Sequence, residues 1–417
     1  MKKILSLCLV TLLLMPSAWA KPKINKGHAA VSSAAAAVNN TVLGIDRIDE
    51  PEVAELLRNK RVGVFTNQSG VNKKLESSVD VLKDRFNVTA IFVPEHGLWG
   101  AVAAGEKFKN NVYENITVFS IYGDSRRPSK EMLDAVDVIA VDIQDVGVRH
   151  YTYTSSLAYI MEECAKYGKE VVVFDRPNPL GGAVEGPVLK PRFSSFIGLY
   201  ELPLRHGLTL GEFAKFINTE KKINCQLKVV PMENWRRDMY WKDTGLAWVQ
   251  TSPLIPTAET AILYNVTGVC GNTPISVGVG TAKPFYYVAA PFADAKVVKE
   301  KLEALQIKGV AFRKAAFTSK SGRYKDELAQ GVEIFILDPK EVNLSELEYS
   351  IMYIFQELYP EHMGKLPQRY GGLGETVDIA LGEDSIKKHE NPQEAFARWK
   401  NECKNFSAQA APYLLYK

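Results

Sequence analysis

The chain has 417 residues, of which 46% are apolar and 24% are charged, so it can form a globular core and exceeds the length of one typical domain. Its 51 Lys and Arg residues nearly balance its 48 Asp and Glu residues, which gives a formal net charge of +3. This balance argues against a nucleic-acid partner, because such proteins normally show a strong basic bias.

The first twenty residues have the pattern of a secretory signal peptide. Lys2 and Lys3 precede an apolar run over 4–15, and Ala-Trp-Ala at 18–20 supplies a small-x-small cleavage site. The run is too short for a membrane anchor, and Cys8 is not part of a lipid-attachment box. We therefore expect a periplasmic or secreted protein with no membrane anchor after cleavage of the signal.

Residues 21–41 form a low-complexity segment of small residues that we interpret as a flexible lead-in. Five apolar runs rich in β-forming residues follow, and most of them are separated by segments of helical character. This alternation is typical of a Rossmann-like α/β fold, in which helices cover both faces of a parallel sheet. The runs are "RVGVFTN" (61–67), "VTAIFVPE" (88–95), "ITVFSIYG" (116–123), "VDVIAVDIQD" (136–145) and "EVVVFDRPNP" (170–179), and the helical segments are 49–59, 74–84 and 154–167.

Several of these runs end in reactive or hydrogen-bonding side chains. In open α/β sheets, ligands bind outside the carboxyl ends of the strands, so these side chains are candidates for a binding site. They are Asn67 and Gln68, Glu95 and His96, Asp142, Gln144 and Asp145, and Asp175, Arg176 and Asn178.

Glu95, within "FVPEHGLWG" (92–100), is the first candidate catalytic residue. A carboxyl group at the mouth of a sheet beside Trp99 would be desolvated, which raises its pKa and suits it to general acid catalysis. We expect His96 to direct its ring toward substrate or a backbone partner. The structural alternative is that Glu95 accepts backbone N–H groups at a helix start and that His96 is a rim residue.

Glu185, within "LGGAVEGPVL" (180–189), is the second candidate carboxylate. The flanking glycines permit close approach of a ligand to the backbone. A glycoside hydrolase normally needs two carboxyl groups that face each other across the scissile bond. The alternative is an ordinary loop glutamate.

The stretch "DVGVRHYTYTSSL" (145–157) lies at the start of a predicted helix. Arg149 could bind a carboxylate with two hydrogen bonds, and Tyr151 could offer a flat face to a sugar. Capping of the helix by Thr152 or Thr154, with buried aromatic rings, is the structural alternative.

The second half of the chain, from about residue 206, predicts a smaller mixed α+β domain. Residues 209–220, 344–358 and 392–408 have helical patterns, whereas 227–235, 310–319 and 331–338 resemble strands. The Pro-rich stretch 250–261 and the Gly-rich stretch 278–281 are predicted loops, and long loops tend to carry function. We place the domains at 42–205 and 206–417.

The sequence lacks the usual signatures of cofactor and metal sites. The first strand leads into "TNQSGV", which contains no G-x-G-x-x-G, and "SVGVGT" (276–281) lacks the lysine of a phosphate-binding loop. No H-E-x-x-H motif is present, and the four cysteines after the signal are scattered. We expect neither a cofactor nor a metal.

Several long motifs resemble the exo-β-N-acetylmuramidase (NamZ) family, from about residue 42 to the C-terminus. They are "VGVFTNQSGV", "VPEHGLWG", "DIQDVGVRHYTY", "DRPNPLGG", "EGP", "LPLRHGLTLGEFA" and "WRRDMYWKDTGLAWVQTSPLIPTAET". The resemblance implies an exo-acting glycosidase that removes N-acetylmuramic acid from the non-reducing ends of peptidoglycan fragments. It also implies a Rossmann-like domain, a smaller C-terminal domain and a cleft between them, with Glu95 of "PEHG" and Glu185 of "EGP" as the catalytic pair.

One region departs from the family pattern. Family members tend to carry an acidic residue before Gly-Thr-Asn and a basic residue inside the G-x-G-T loop, whereas this chain has Cys270 and Val279 at those places. The loop is expected to line the cleft, so the departure favours an altered substrate preference.

The resulting hypothesis is a cell-wall glycosidase that acts on muropeptides or disaccharides derived from peptidoglycan. Arg149 and His206 are expected to bind the lactyl carboxylate or the acetamido group, because a buried cation would discriminate muramic acid from an uncharged sugar. The alternative is a non-catalytic muropeptide-binding protein on the same fold.

Overall fold

The computed structural model describes residues 40–364 and 376–417. The predicted signal peptide lies outside these residues, as does the predicted lead-in except for its last two residues. Thr41 is fully buried, and Val42 pairs with Glu233 through two backbone hydrogen bonds, so this segment is part of the packed fold. Among the described helices, none combines the length and the apolar composition needed to cross a membrane.

Strands and helices alternate along the first part of the described chain, and helices dominate its end. The strands are β1 (Arg61–Phe65), β2 (Asn87–Val93), β3 (Asn111–Tyr113), β4 (Ile116–Ser120), β5 (Val138–Val141), β6 (Glu170–Phe174), β7 (Glu185–Val188), β8 (Pro203–Arg205), β9 (Gln226–Val230), β10 (Tyr287–Ala290), β11 (Val310–Thr318) and β12 (Leu328–Ile336). The helices are α1 (Pro51–Ala54), α2 (Ser78–Lys83), α3 (Lys130–Asp134), α4 (Tyr153–Lys166), α5 (Leu210–Glu220), α6 (Ala258–Thr267), α7 (Ala295–Glu303), α8 (Leu344–Leu358), α9 (Pro360–Met363), α10 (Thr376–Leu381) and α11 (Pro392–Ala410).

The predicted parallel sheet is confirmed. Its strand order is β3-β4-β2-β1-β5-β6-β9, and all neighbouring strands are parallel except β3 and β4. The inner strands β1, β5 and β6 are buried along almost their whole length, because apolar clusters cover both faces of the sheet. Helices α4 and α5 belong to one cluster and α2 to the other.

Two smaller sheets lie outside the parallel sheet. Strands β10, β12 and β11 form an antiparallel sheet in that order, and β7 pairs with β8. Strand β9 lies after the predicted domain boundary at 205/206, yet it forms an edge of the large sheet. The boundary itself stays a prediction. Helix α6 occupies the end of the predicted loop 250–261, because Thr257 accepts the N–H of Thr260 at 3.1 Å and caps its start.

Arg149 joins the start of α4 to more distant segments from inside the core, where it is 1% exposed. Nη1 donates to the carbonyl groups of Pro187 at 2.8 Å and Leu202 at 2.7 Å, and Nη2 donates to those of Ala380 and Leu381. Burial lowers the pKa of Arg149 to about 9, so the group remains a cation at neutral pH. The predicted role of Arg149 in binding a sugar carboxylate is therefore corrected, because its donors are used within the fold.

Glu348, on α8, is a fully buried carboxyl beneath the 3-10 turn Cys270–Asn272. Oε1 accepts the backbone N–H groups of Val269 at 2.6 Å and Cys270 at 3.3 Å. Burial raises the pKa of Glu348 from its ordinary value of 4.5 to about 8. Because the folded protein binds this proton more tightly than the unfolded chain does, stability is lost as the pH rises through that interval.

We predict that Arg149→Ala lowers the free energy of unfolding by about 3 kcal/mol or more, because four buried carbonyl groups lose their donor. Urea denaturation monitored by circular dichroism measures this loss. Arg236→Ala is the matched control, since Arg236 is exposed and pairs with Asp238 at the surface. A loss below about 1 kcal/mol in Arg149→Ala would contradict the structural role.

We predict that Glu348→Gln becomes more stable relative to the wild type as the pH rises from about 5 to about 9, by on the order of a few kcal/mol. Glutamine keeps an acceptor for the two N–H groups and does not ionise. Calorimetric melting temperatures at the two pH values test this. Glu357→Gln, at an exposed position of α8, is the control and should show no such trend. If the difference in melting temperature between Glu348→Gln and the wild type does not change with pH, the raised pKa of Glu348 is disproved.

Candidate active site

A cavity of about 570 Å³ lies beyond the carboxyl end of β2, a volume in the usual range for small-molecule sites. The first half of the chain contributes the loop after β2 and the residues that precede α4. The second half contributes the loop before α6, the segment that follows α6 and the turn between β11 and β12. The polar lining includes Glu95, His96, His150, Tyr151, Thr152, Asn272 and Arg323.

Glu95 is held from two sides at this cavity. Oε1 accepts the backbone N–H of Gly105 at 2.8 Å, and Oε2 lies 3.0 Å from Oγ1 of Thr152, the residue that precedes α4. Among the residues that the structure describes, Glu95 is the only Asp or Glu that lines the cavity. Its carboxyl group is therefore fixed in orientation and open to a ligand, as proton transfer to a substrate requires.

His96 closes the loop that carries Glu95. Its Nδ1 lies 2.8 Å from the carbonyl oxygen of Val102, and since a carbonyl only accepts, Nδ1 is the donor. The backbone N–H of Val102 donates in turn to the carbonyl of His96 at 3.2 Å. The prediction that the His96 ring finds a backbone partner is confirmed, and Nε2 is the nitrogen left for other contacts.

Trp99 does not form the apolar wall expected from the sequence. Its side chain is 63% exposed and packs edge-on against Tyr113, with ring centroids 5.6 Å apart. It does not line the cavity, so the prediction that it desolvates the carboxyl group is wrong. The apolar wall comes instead from the second half of the chain, through Ile255, Ile275 and Phe285.

Tyr151 lines the cavity, whereas Asn67 supports it from below. The hydroxyl of Tyr151 donates to Oγ1 of Thr251 at 2.9 Å, and that of Tyr153 donates to the Thr251 carbonyl at 2.6 Å. Nδ2 of Asn67 donates to the Tyr153 hydroxyl at 2.7 Å. Asn67 is buried and does not line the cavity, so its predicted substrate contact is corrected to a supporting contact.

Two other strand ends form a buried network among themselves. Asp142 accepts two hydrogen bonds from Arg176, at 2.6 Å from Nε and 2.8 Å from Nη2. Asp175 accepts the hydroxyls of Thr209 at 2.7 Å and Tyr416 at 2.6 Å, and burial raises its pKa to about 6. The predicted substrate contacts of Asp142, Asp175 and Arg176 are therefore corrected, because protein groups occupy these side chains away from the cavity.

Gln144 and Asn178 belong to the same buried layer. Nε2 of Gln144 donates to the carbonyl of Pro177 at 2.8 Å, and Nδ2 of Asn178 donates to that of Leu208 at 3.0 Å. Neither residue lines the cavity, so both predicted substrate contacts are corrected as well.

His206 is a buried neutral histidine. Nδ1 accepts the backbone N–H of Leu208 at 3.1 Å, and burial lowers the pKa of His206 to about 3. A neutral ring that is 1% exposed does not supply the cation expected for a sugar carboxylate. The predicted role of His206 is corrected for this reason.

Glu185 lies at a different cavity from Glu95, one of about 480 Å³ that includes Cys403 in its lining. Oε1 of Glu185 accepts Nη1 of Arg205 at 2.7 Å, and Oε2 accepts the backbone N–H of Leu344 at 2.9 Å at the start of α8. The predicted pair of facing carboxyl groups is therefore not formed in this structure, because Glu185 is an internal partner of Arg205 and of the start of α8.

The loops singled out in the second half do reach the cavity. The stretch 250–261 contributes Ser252 and Ile255, and the G-x-G-T loop contributes Val279. No motif in the sequence predicts a site role for Arg323, which lies in a short polar turn between two strands. The sequence pattern predicts Thr152 only as a helix cap, although its hydroxyl contacts Glu95.

Two family profiles match almost the whole described chain. The profile "Exo-beta-N-acetylmuramidase NamZ, N-terminal" matches residues 62–259, and its C-terminal counterpart matches residues 262–416. A relative from Bacillus subtilis strain 168, named peptidoglycan beta-N-acetylmuramidase NamZ, is 38% identical over 378 residues, which cover 89% of this chain and 91% of the relative.

Two crystal structures from Bacteroides fragilis NCTC 9343, both of proteins assigned to the DUF1343 family, have the same fold. One is 34% identical with a TM-score of 0.83 and covers 91% of this chain and 100% of its own. The other is 28% identical with a TM-score of 0.72 and covers 91% and 99%. The profiles, the curated relative and the shared fold agree that this chain belongs to the NamZ exo-β-N-acetylmuramidase family of glycosidases.

Proposed function

We propose that this chain is an exo-acting β-N-acetylmuramidase that releases N-acetylmuramic acid from the non-reducing ends of peptidoglycan fragments. Family membership and the name of the Bacillus subtilis relative support this activity. The substrates are peptidoglycan-derived sugars, such as muropeptides or disaccharides.

The position of Glu95 carries the proposal. A general acid must present its proton to the glycosidic oxygen from a fixed direction, and the Gly105 N–H and the Thr152 hydroxyl fix this carboxyl group at the cavity. A hydroxyl group both donates and accepts, so Thr152 remains a partner when Glu95 is protonated and when it is ionised. The same contact is thus preserved before and after proton transfer.

We predict that Glu95→Gln lowers kcat for a chromogenic β-N-acetylmuraminide by about 10²–10⁴-fold, because the amide has no acidic proton to transfer. The amide oxygen of glutamine can still accept the Gly105 N–H, and its NH2 group can donate to the Thr152 hydroxyl, so the fold and sugar binding should be retained. Release of the chromophore and calorimetric binding of N-acetylmuramic acid measure the two properties separately.

Glu106→Gln is the matched control, because Glu106 lies beside Gly105 in the same loop, is exposed and does not line the cavity. It should retain wild-type turnover. Near-normal turnover in Glu95→Gln would remove Glu95 from the mechanism, and a wild-type protein that binds the sugar without releasing the chromophore would contradict the glycosidase itself.

We also propose export to the periplasm or the exterior, supported by the signal-peptide pattern of residues 1–20. The mature chain should begin at Lys21, after the Ala-Trp-Ala site. Mass spectrometry of the protein recovered from the periplasmic fraction or the medium tests this, and a cytoplasmic chain that retains its first twenty residues would contradict it.

A further inference from the structure

Trp99 lies at the tip of the loop that presents Glu95. Two hydrogen bonds between His96 and Val102 close this loop at its base, so the residues between them form its tip. Leu98 packs against the apolar cluster on one face of the parallel sheet, whereas the side chain of Trp99 is 63% exposed. The residue before Trp99 therefore anchors the tip, and the indole ring remains in solvent.

The exposure of Trp99 sets it apart from the other tryptophans that the structure describes. Trp235, Trp241 and Trp399 are buried, and Trp248 is half-buried. Exposure alone does not assign a role, because single exposed apolar residues are common on protein surfaces. The contacts that hold the ring and its place beside Glu95 are what point to a ligand.

The ring and the loop tip are held from two directions. Tyr113, on the edge strand β3, packs against Trp99 with ring centroids 5.6 Å apart and the planes at 72°. A β-carbon added to Gly100 would collide with the side-chain amide of Gln68, so the tip rests on that amide. Nε2 of Gln68 donates in turn to the Gln250 carbonyl at 2.9 Å, at the start of a stretch that lines the cavity. A surface fixed in this way loses little conformational entropy when a ligand packs against it.

The position of Glu95 fixes where the leaving group lies. A general acid protonates the oxygen of the bond that breaks, so the sugar on the leaving side of that oxygen lies beside the acid. Trp99 follows Glu95 by four residues, which limits the distance between their Cα atoms to about 15 Å. A glycan that extends from Glu95 into solvent therefore comes within reach of the indole ring.

We propose that Trp99 is a stacking platform for the leaving-group glycan, next to the N-acetylmuramic acid unit that occupies the cavity. The inference rests on the proposed muramidase function and names a binding surface for the part of the substrate outside the cavity. The C–H groups of a sugar ring form an apolar face that packs on the flat face of an aromatic ring. The next unit in peptidoglycan is N-acetylglucosamine, an uncharged sugar that suits an aromatic surface better than an ionic one.

The test uses Glu95→Gln as the background, so that bound glycans are not cleaved, and adds Trp99→Ala to it. Calorimetry measures the binding of N-acetylmuramic acid and of a peptidoglycan tetrasaccharide with this sugar at its non-reducing end. The background should bind the tetrasaccharide more tightly than the monosaccharide. Trp99→Ala should weaken binding of the tetrasaccharide by about 3- to 10-fold and leave that of the monosaccharide unchanged.

Two further variants in the same background sharpen the comparison. Trp99→Phe keeps an aromatic ring and should retain most of the affinity for the tetrasaccharide. Leu337→Ala is the matched control, because Leu337 is 70% exposed and does not line the cavity. It should bind both ligands as the background does. If Trp99→Ala does not fold, Trp99→Leu, which keeps an apolar side chain without a ring, decides.

Unchanged binding of the tetrasaccharide in Trp99→Ala would overturn the inference, as would equal losses for both ligands in a variant that melts like its background. A dimer in analytical ultracentrifugation that depends on Trp99, with no effect of Trp99 on glycan binding, would assign the ring to a contact between copies instead. Failure of the proposed function gives a different result. The wild type would then release no N-acetylmuramic acid from the tetrasaccharide, whether or not Trp99 contributes to binding.

Discussion

Polar side chains at the carboxyl ends of buried parallel strands must find partners inside the protein, and the architecture of the site depends on this constraint. An unpaired buried carboxylate is far more costly than a paired one. Asp142 meets the requirement through Arg176, and Asp175 through Thr209 and Tyr416. These contacts attach the segments after β5 and β6 to α5 and to the C-terminus. The cavity lies beyond the end of β2, and none of these network residues lines it.

The same constraint explains which parts of the molecule could be predicted from sequence. Continuous apolar runs predict the inner strands because both faces of the sheet are covered, and the "PEHG" loop follows directly from the end of β2. Whether a polar residue at a strand end supports the fold or contacts a ligand depends on partners far away in the chain. Arg149 illustrates this, since two of its carbonyl partners belong to residues 231 and 232 positions later. No local pattern carries that information.

The glycine next to Glu185 is required by the structure, but for protein packing rather than for ligand binding. The glycine beside Glu185 predicts space for a ligand, and Gly186 does have a φ of 79°, which disfavours other residues. The space is filled by protein instead, because a β-carbon there would lie 2.8 Å from that of Leu204 and 2.9 Å from that of Ser345. Close packing of two strands and a helix requires the glycine, and the neighbouring carboxylate is used to hold Arg205 and the start of α8.

The adjacency of Glu95 and His96 has a physical explanation in the shape of their loop. His96 has a φ of 76°, a left-handed conformation that costs a non-glycine residue on the order of 1–3 kcal/mol. The two hydrogen bonds between His96 and Val102 offset this cost and turn the loop back on itself. That reversal brings the Gly105 N–H to the carboxylate of Glu95. The loop thus supplies one contact to its own glutamate, and Thr152 supplies the other from the buried start of α4. His96 therefore acts on Glu95 through the backbone, by fixing the loop that presents the carboxyl group to the cavity.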